Sequence, residues 1–425
     1  MQAAPPTLER FKVKRSDYNN RETRGETMIS KHTAALVRRF GRGAVIGAAL
    51  AAAGLLSGAA QAQEKQTWML QVTPAQSQQA ANLGKADGAR QGGPYTLPTG
   101  KKIGVILLSG QSASSNRILK PVQTIARLLN YDVIVCDPNF DTQKITQCAT
   151  SMVAQNANAV FTISTSPGPM GSALNDAKNQ GAPWFGTISG VAPTPLIIPY
   201  GSPGIATAQL SAAWLFDTAT QRKGKDARLK FMILTAPTVG LANLVEEQQV
   251  QKAAAANPKV DIVITHDLDL ANIVQDTINM TRQAVQQYPD LAGIWTVCDL
   301  CVPLISQTVD GLGFDPKDRP IVAGDYTTAQ TVDLIRRGKV DGVMDLPLES
   351  SVWVAFDQML GLWSHNRPID KSYDVFSTDY GLKFMEPYII TKGNAGPIGG
   401  PVPVYGPDYA SYFLAKWKAE YGLSN

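Results

Sequence analysis

The sequence has little histidine and little cysteine. Its 425 residues include three histidines and four cysteines, and only His266 and His365 follow residue 62. With so few nitrogen ligands and no second CxxC pair, a zinc site is not expected. The sequence also lacks a GxSxG nucleophile elbow, a Walker phosphate-binding loop and an HExxH motif. We therefore expect no metal, no other cofactor and no enzymatic activity.

An excess of charge of one sign is also missing once the start of the chain is set aside. Residues 1–62 hold ten Lys and Arg against four Asp and Glu, and the rest of the chain holds 29 against 31. The formal net charge of +4 therefore belongs to the first segment. Because no basic surface is indicated in the remaining chain, nucleic-acid binding is not expected.

The first 62 residues are predicted to be an N-terminal extension and a signal peptide. A run of small apolar residues from Ala44 to Ala59 precedes Ala60-Gln-Ala62, a typical cleavage site before Gln63. The run is too short and too rich in glycine for a membrane span. We expect export to the periplasm and no stable membrane insertion after cleavage. Arg38-Arg39 leaves twin-arginine export open beside the general route, and Met28 is an alternative start.

The four cysteines fall into two pairs, Cys136 with Cys148 and Cys298 with Cys301. An even number of cysteines in an exported protein is typical of disulfides. The first pair would join the end of a strand to the following helix. Buried free thiols are the alternative for both pairs, because unpaired cysteine is frequent in protein cores.

From Lys101 onwards, short apolar runs alternate with amphipathic helical segments. Continuous apolar runs bounded by turn residues predict strands that are covered on both faces, and their alternation with helices predicts parallel sheets. The pattern stops between Ser189 and Pro203, where four of fifteen residues are proline, and then restarts in a similar design. The predicted fold class is α/β, with two Rossmann-like lobes, each a parallel sheet flanked by helices.

This pattern also predicts the organisation of the chain after the signal peptide. Residues 63–100 are rich in Gln, Ala and Gly and have few large apolar groups, which is typical of a poorly ordered leader. The predicted boundaries are 101–202 for lobe 1, completed by about 346–375, 203–345 for lobe 2, completed by about 376–392, and 393–425 for a Gly/Pro-rich segment and a final helix.

The stretch from Asp290 to Gly338 holds two strand, turn and helix units in succession. In a parallel sheet, ligands bind outside the carboxyl ends of the strands. Cys298 and Asp299 follow the first strand of this stretch, and Asp325 and Tyr326 follow the second. The sequence therefore predicts a binding site at these residues.

A series of motifs in this part of the chain resembles the type I periplasmic binding proteins, the ribose- and galactose-binding-like substrate-binding proteins of ABC transporters. The series is Pro289-Asp290-Leu-Ala-Gly-Ile294, Cys298-Asp299, Gly324-Asp-Tyr-Thr-Thr328, Leu334-Ile-Arg-Arg-Gly338 and Asp345-Leu-Pro347. The resemblance covers about residues 101 to 392. It implies two lobes joined by a three-crossing hinge, a ligand in the cleft between them, and hinge closure on binding. An ABC transporter permease is the implied partner, and we expect a monomer.

The departures from the family pattern bear on the ligand. Cys298 stands where the family has a pocket Asn, Tyr326 falls on the pocket Asp, and Asp345 replaces a hinge-side Gln. The turn from Ser109 to Asn116 lacks the aromatic residues that stack on a sugar in many relatives. We therefore do not expect a standard hexose or pentose pocket.

The predicted ligand-binding residues are polar groups at the ends of strands in both lobes. They are Ser109, Gln111, Ser112, Asn116, Thr165, Cys298, Asp299, Tyr326 and Asp345. The Ser, Asn and Gln residues have an alternative role in solvating a turn and capping a helix. For Asp299 we favour the role of N-cap of its own helix. Asp345 has no arginine among the matched positions, so we expect its carboxylate to face a ligand hydroxyl or amine.

The resulting hypothesis is an exported solute-binding protein that delivers a small polar ligand to an ABC importer. One alternative is a periplasmic receptor that passes a ligand signal to a membrane kinase or chemoreceptor. Another is a secreted enzyme that uses Asp299 and Asp345 as an acid/base pair.

Overall fold

The computed structural model of the chain describes residues 74–188, 198–200, 204–237, 241–346, 348–370, 387–403 and 408–423. The predicted signal peptide and cleavage site lie outside these residues, as does most of the proline-rich stretch after Ser189. The described chain contains two mainly parallel sheets with helices on both faces. The predicted α/β fold class is confirmed.

Lobe 1 contains a five-stranded parallel sheet. The strand order is β2-β1-β3-β4-β5, and Ile103 of β1 is paired with both Val133 and Ala159. The strands are β1 (Lys102–Ile106), β2 (Asp132–Cys136), β3 (Ala159–Ile163), β4 (Trp184–Thr187) and β5 (Ile198–Tyr200). The helices that follow the first three strands are α2 (Ala113–Leu128), α3 (Thr142–Ala154) and α4 (Ala173–Asn179).

Lobe 2 contains a six-stranded sheet in the order β11-β10-β9-β8-β6-β7, in which β11 alone is antiparallel to its neighbour. Its strands are β6 (Leu229–Thr235), β7 (Val260–Asp267), β8 (Leu291–Thr296), β9 (Ile321–Asp325), β10 (Gly342–Asp345) and β11 (Tyr388–Thr391). Its helices are α5 (Gly204–Lys223), α6 (Leu241–Ala255), α7 (Ile273–Gln287), α8 (Cys301–Gly311) and α9 (Ala329–Arg336). Every residue of β8 and β9 is buried, as expected for strands covered on both faces.

The chain passes between the two sheets more than once. Helix α5 follows β5 of lobe 1 but packs on β9 and β10 of lobe 2. Helix α10 (Leu348–His365) follows β10 of lobe 2 and packs on α2 of lobe 1. Strand β11 then returns to lobe 2. Leu346 and Leu348 are fully buried in a hydrophobic core that is continuous between the lobes, so the lobes are in close contact.

The prediction of a poorly ordered leader at 63–100 is wrong for residues 74–87, which form helix α1 (Pro74–Asp87). Its partner is the final helix α11 (Tyr409–Tyr421), and a Cβ at Gly84 would collide with the carbonyl of Tyr412. Ser77 also donates a hydrogen bond of 2.6 Å to Asp408. Small residues allow this close approach, so the helix forms without the large apolar stripe that we took as the signal of order.

The final segment contacts both lobes. After β11 the chain runs along α9, where the Arg336 guanidinium donates to the carbonyl oxygens of Ala395, Gly400 and Pro401 at 2.6 to 2.9 Å. Helix α11 then packs on α1 and α10, and Asp408 caps its N-terminus through Ser411 N. The C-terminal residues therefore connect the two lobes a further time.

Both cysteine pairs form disulfides, which decides between the two alternatives left open by the sequence. Cys136 at the end of β2 is bonded to Cys148 of α3, with their Cα atoms 5.7 Å apart. Cys298 is bonded to Cys301 at the start of α8, with a Cα separation of 5.2 Å. No helix in the described part of the chain has the length and apolar character needed to span a membrane.

Candidate functional site

The carboxyl ends of strands from both sheets face each other across a small cavity of about 70 Å³, here called the inner cavity. It is lined from lobe 1 by Leu108, Ser112, Ser114, Phe140, Ser164 and Ile188, and from lobe 2 by Ala236, Leu268, Leu270, Ile273, Val297, Cys298, Asp299, Leu300 and Tyr326. This is the position in which open α/β sheets bind ligands.

Strained backbone is concentrated around the inner cavity. Phe140, Ser164, Ile188 and Tyr326 all line it, and all have a positive φ, between 54° and 66°. They follow four different strands, β2, β3, β4 and β9. An aromatic or β-branched residue in this region is an outlier that is maintained only when the surrounding structure requires it. The cavity is therefore the best candidate for a functional site in the described chain.

One corner of the inner cavity is polar. Asp299 Oδ2 accepts hydrogen bonds from Ser114 N at 2.7 Å and from Ser112 Oγ at 3.2 Å. Ser112 is itself the N-cap of α2 and accepts from Ser115 N. The prediction that Asp299 caps its own helix is wrong, because the cap position of α8 is Leu300 and has no side-chain bond. Asp299 instead binds the N-terminus of α2 in the opposite lobe, where a carboxylate complements the helix dipole.

A second polar cluster lies where the chain leaves β10 for α10, and we call it the crossing network. Arg117 of α2 donates to Asp345 at 2.6 Å and, through two nitrogens, to Glu349 at 2.7 and 3.0 Å. It also donates to the Leu346 carbonyl at 2.7 Å. Burial lowers the pKa of Arg117, but the charges of Asp345 and Glu349 more than offset this, and the pKa lies well above its usual value.

Asp345 therefore has an arginine partner, Arg117, which lies outside the motifs that carry the family resemblance. Thr327 Oγ1 and Tyr388 Oη also donate to this carboxylate, the latter at 3.1 Å. Asp345 is fully buried, so these protein groups compensate the loss of its hydration. Its role as a ligand contact stays a prediction. In the structure, the Asp345 carboxylate accepts its hydrogen bonds from protein groups.

Behind Tyr326, lobe 2 contains two fully buried carboxyl groups, Glu246 and Asp325. Tyr326 Oη donates to Glu246 at 3.1 Å, and Asp325 accepts from Ser211 at 2.7 Å and Trp295 at 3.3 Å. Within the described chain, Glu246 Oε2 and Asp325 Oδ2 have no hydrogen-bond partner.

Burial favours the protonated forms of these two carboxyl groups. Burial raises the pKa of Asp325 from 3.8 to about 7, although the Ser211 and Trp295 hydrogen bonds oppose the change. Burial, together with the charge of Asp325, also raises the pKa of Glu246 well above its usual value. The acid pair thus supports the wall of the inner cavity from behind through Tyr326.

A larger hollow of about 700 Å³, the outer groove, lies between α2, the first turn of α8 and the length of α9. Gln111, Asn116 and Lys120 line it from lobe 1, and Gln330 and Arg337 line it from lobe 2. Asp299 is common to the groove and the inner cavity. The groove is larger, and its walls combine helix surfaces with residues that follow the ends of β1, β8 and β9.

The structure brings together only part of the predicted site. Ser112, Cys298, Asp299 and Tyr326 line the inner cavity, whereas Gln111 and Asn116 face the outer groove. The remaining predicted residues, Ser109, Thr165 and Asp345, line neither hollow.

The predicted residues outside the inner cavity have different surroundings. Ser109 is buried and accepts from Gln111 N at 3.1 Å, and Asn116 donates to the Gly110 carbonyl at 2.8 Å, so both stabilise the turn. Thr165 is buried, and its hydroxyl has no hydrogen-bond partner in the described chain.

Arg117 and Glu246 are the important residues that our sequence reasoning missed. Arg117 directly follows the predicted Asn116, and a buried carboxylate at position 345 implied a cation somewhere. Because the two residues are 228 positions apart, no local pattern connects them. Glu246 lies in a helix of mixed polarity, where one acidic residue is not distinguishable from an exposed one.

Comparisons with known proteins agree with this architecture. Residues 103–366 match the family described as periplasmic binding protein domain. No curated protein sequence matches the chain.

Three solved structures illustrate the likeness. A solute-binding protein of an ABC transporter from Mycobacterium smegmatis, solved with glycerol, has a TM-score of 0.60 at 16% identity over 72% of this chain and 100% of the other. The Caulobacter myo-inositol binding protein gives 0.59 at 17% identity over 71% and 96%. A periplasmic solute-binding protein from Actinobacillus succinogenes, with D-allose, gives 0.56 at 15% identity over 69% and 99%. At these identities the likeness shows the fold.

Proposed function

Because the chain belongs to the periplasmic binding protein domain family, we propose that it is an exported solute-binding protein of an ABC importer. It binds a small ligand in the inner cavity, and its lobes close around that ligand by a hinge movement. The family consists of periplasmic binding proteins rather than enzymes. We further propose that the signal peptide is cleaved near Ala62 and Gln63, that the protein is a monomer, and that a permease is its partner.

The observation that carries this proposal is the inner cavity itself. It lies between the strand ends of both lobes, and residues from both lobes form its polar corner. A ligand that touches both walls stabilises the closed arrangement of the lobes, which is the basis of closure on binding. The solved relatives are bound to glycerol, myo-inositol and D-allose, so small hydroxylated compounds are the starting point for the ligand.

A thermal-shift screen of sugars, polyols, alcohols and amines tests the proposal, because a ligand that binds the folded protein raises its unfolding midpoint. We expect at least one compound to raise the midpoint in a concentration-dependent way. Asp299→Asn is expected to weaken the binding of that compound about tenfold, because a hydrogen bond to a neutral amide is weaker than one to a carboxylate by roughly 1.4 kcal/mol.

The control is Gln330→Ala, which changes a residue that lines only the outer groove and should leave the affinity unchanged. If Gln330→Ala weakens binding, the ligand occupies the groove rather than the cavity, whatever the effect of Asp299→Asn, because Asp299 lines both hollows. If no small molecule changes the midpoint while a sensor domain is retained by the protein, the transport role is contradicted. Recovery of a chemically altered compound after incubation would support the enzyme alternative.

A further inference from the structure

The walls of the inner cavity are mostly hydrocarbon outside the polar corner. Leu108, Phe140 and Ile188 contribute from lobe 1, and Leu268, Ile273 and Val297 contribute from lobe 2. Two of these residues, Phe140 and Ile188, are held on the wall by a left-handed backbone that their side chains disfavour. Ile188 is the clearest case, since a β-branched residue at a φ of 54° is unfavourable, yet the side chain is 4% exposed and packed against the cavity.

Most polar groups on the cavity wall already have protein partners. The Ser112 and Ser114 hydroxyls are bonded to each other at 2.8 Å, and Asp299 Oδ2 accepts from Ser112 Oγ and from the backbone N–H of Ser114. The Tyr326 hydroxyl donates to Glu246. Two side-chain groups on the wall are left for a ligand in the described chain, the second Asp299 oxygen and the Ser164 hydroxyl. Among the described residues, the side-chain groups of the wall that have no partner are therefore one carboxylate oxygen and one hydroxyl.

A cavity with an apolar wall and few unpaired polar groups disfavours a molecule with hydroxyl groups on every side. Each hydroxyl that is removed from water without a partner costs about 1–3 kcal/mol, whereas each buried CH₂ group contributes about 0.8 kcal/mol. A sugar or inositol would place several hydroxyls against the apolar wall. A hydrocarbon with its polar group at one end would bury its apolar part and reach the polar corner.

The size of the cavity also favours a compact ligand over a sugar or inositol. A water molecule needs roughly 10–15 Å³ of such space, so about 70 Å³ holds on the order of five to seven waters. We propose, on the basis of the proposed binding function, that the inner cavity is specific for a compact alcohol that is mainly hydrocarbon and carries one or two hydroxyls at one end.

A series with one carbon skeleton tests this ligand class. Cyclohexanol, trans-1,2-cyclohexanediol and myo-inositol have the same six-membered carbon ring but one, two and six hydroxyls. In titration calorimetry of the full exported chain with its disulfides intact, we expect one of the first two compounds to bind at least tenfold more tightly than myo-inositol. Tighter binding of myo-inositol, D-allose or glycerol would overturn the proposal, as would failure of both alcohols to bind.

The variant Ile188→Asn makes the wall more polar at a position where Asn tolerates the left-handed backbone. We expect it to weaken binding of the alcohols at least fivefold and to narrow their advantage over myo-inositol. Phe140→Asn, also at a positive φ, provides the same test if the first variant fails to fold. Leu128→Asn, on the exposed side of α2, is the matched control and should change neither affinity.

The outcomes separate this proposal from the proposed function. If a sugar or polyol binds and Asp299→Asn weakens it, the solute-binding function stands and the ligand class is wrong. If nothing binds in the series or in the wider screen, both are wrong. If the alcohols bind but Ile188→Asn and Phe140→Asn leave the order of affinities unchanged, the apolar wall does not select the ligand.

Discussion

The two lobes are joined by charged groups in the crossing network and mainly by apolar side chains around the inner cavity. In the network, Arg117, Asp345 and Glu349 are all buried, and each carboxylate accepts charge-assisted bonds. Around the cavity, Asp299 is the charged side chain among the described lining residues, and one of its oxygens is left for a ligand.

The difference separates two tasks that a hinged binding protein must perform. A satisfied buried ion pair fixes one arrangement of the elements that it joins, because breaking it leaves an uncompensated charge. A cavity with an unused acceptor and strained walls is stabilised further when a ligand fills it. We infer that the crossing network holds the lobes in register and that the cavity responds to ligand.

The largest expected effect comes from removing the cation of the crossing network. Arg117→Met leaves Asp345 and Glu349 buried without their cation, which should lower the free energy of unfolding by about 3–5 kcal/mol. Chemical denaturation measures this loss. Adding Asp345→Asn and Glu349→Gln should restore part of it, because the two uncompensated charges are then removed.

The matched control for this change is Arg228→Met. Arg228 makes the same two-nitrogen contact with Asp261, at 2.6 and 3.0 Å, but on the surface, where its side chain is 72% exposed. The surface pair should contribute far less, since solvent screens it. Equal losses of unfolding free energy in Arg117→Met and Arg228→Met would contradict the larger contribution assigned to the buried crossing network.

The next largest expected effect is a dependence of stability on pH, caused by Asp325 behind the wall of the inner cavity. The folded state binds the Asp325 proton more tightly than the unfolded state, so stability is highest below about pH 4 for this group and falls as the pH rises to about 7. The expected decline is about 2 to 4 kcal/mol, since a tenfold change in proton affinity corresponds to about 1.4 kcal/mol.

Asp325→Asn checks this assignment, because an amide cannot ionise. Unfolding curves of the variant between pH 4 and pH 8 should show a smaller decline than those of the parent chain. Asp226→Asn, at a fully exposed position, is the control and should leave the curve unchanged. A parent chain whose stability rises over this range would contradict the protonated acid pair.

The smallest expected effect comes from the disulfide on the cavity wall. Replacing Cys298 and Cys301 with serine opens a loop of four residues, which should lower the free energy of unfolding by about 2 kcal/mol. Because Cys298 lines the cavity, ligand affinity should fall as well. Thermal unfolding and titration with the best ligand measure the two effects separately.

The second disulfide provides the comparison. Replacing Cys136 and Cys148 with serine opens a loop of thirteen residues and should cost about 3 kcal/mol, but neither residue lines the cavity, so affinity should be unchanged. If both double variants alter ligand affinity equally, the Cys298–Cys301 bond does not contribute to binding through its position on the cavity wall.

Much of the fold could be predicted because its signals are local. Buried strands such as Leu291–Thr296 are continuous apolar runs, and the turn residues around them mark where they end. Helix α1 escaped prediction because its packing depends on a glycine opposite another helix far along the chain. Cys298, Asp299 and Tyr326 line the cavity for the same local reason, since each follows a strand that an apolar run predicts.

The sequence by itself determined the two sheets of mainly parallel strands, the ends of the strands at which the cavity forms, and the types of residue found there. The tertiary structure alone decided which polar groups neutralise each other. Asp299 is bonded to Ser114, 185 positions away, and Asp345 to Arg117, 228 positions away. Hydrophobic periodicity is a property of neighbouring residues, whereas the partner of a buried charge depends on which elements the fold brings within about 3 Å of it.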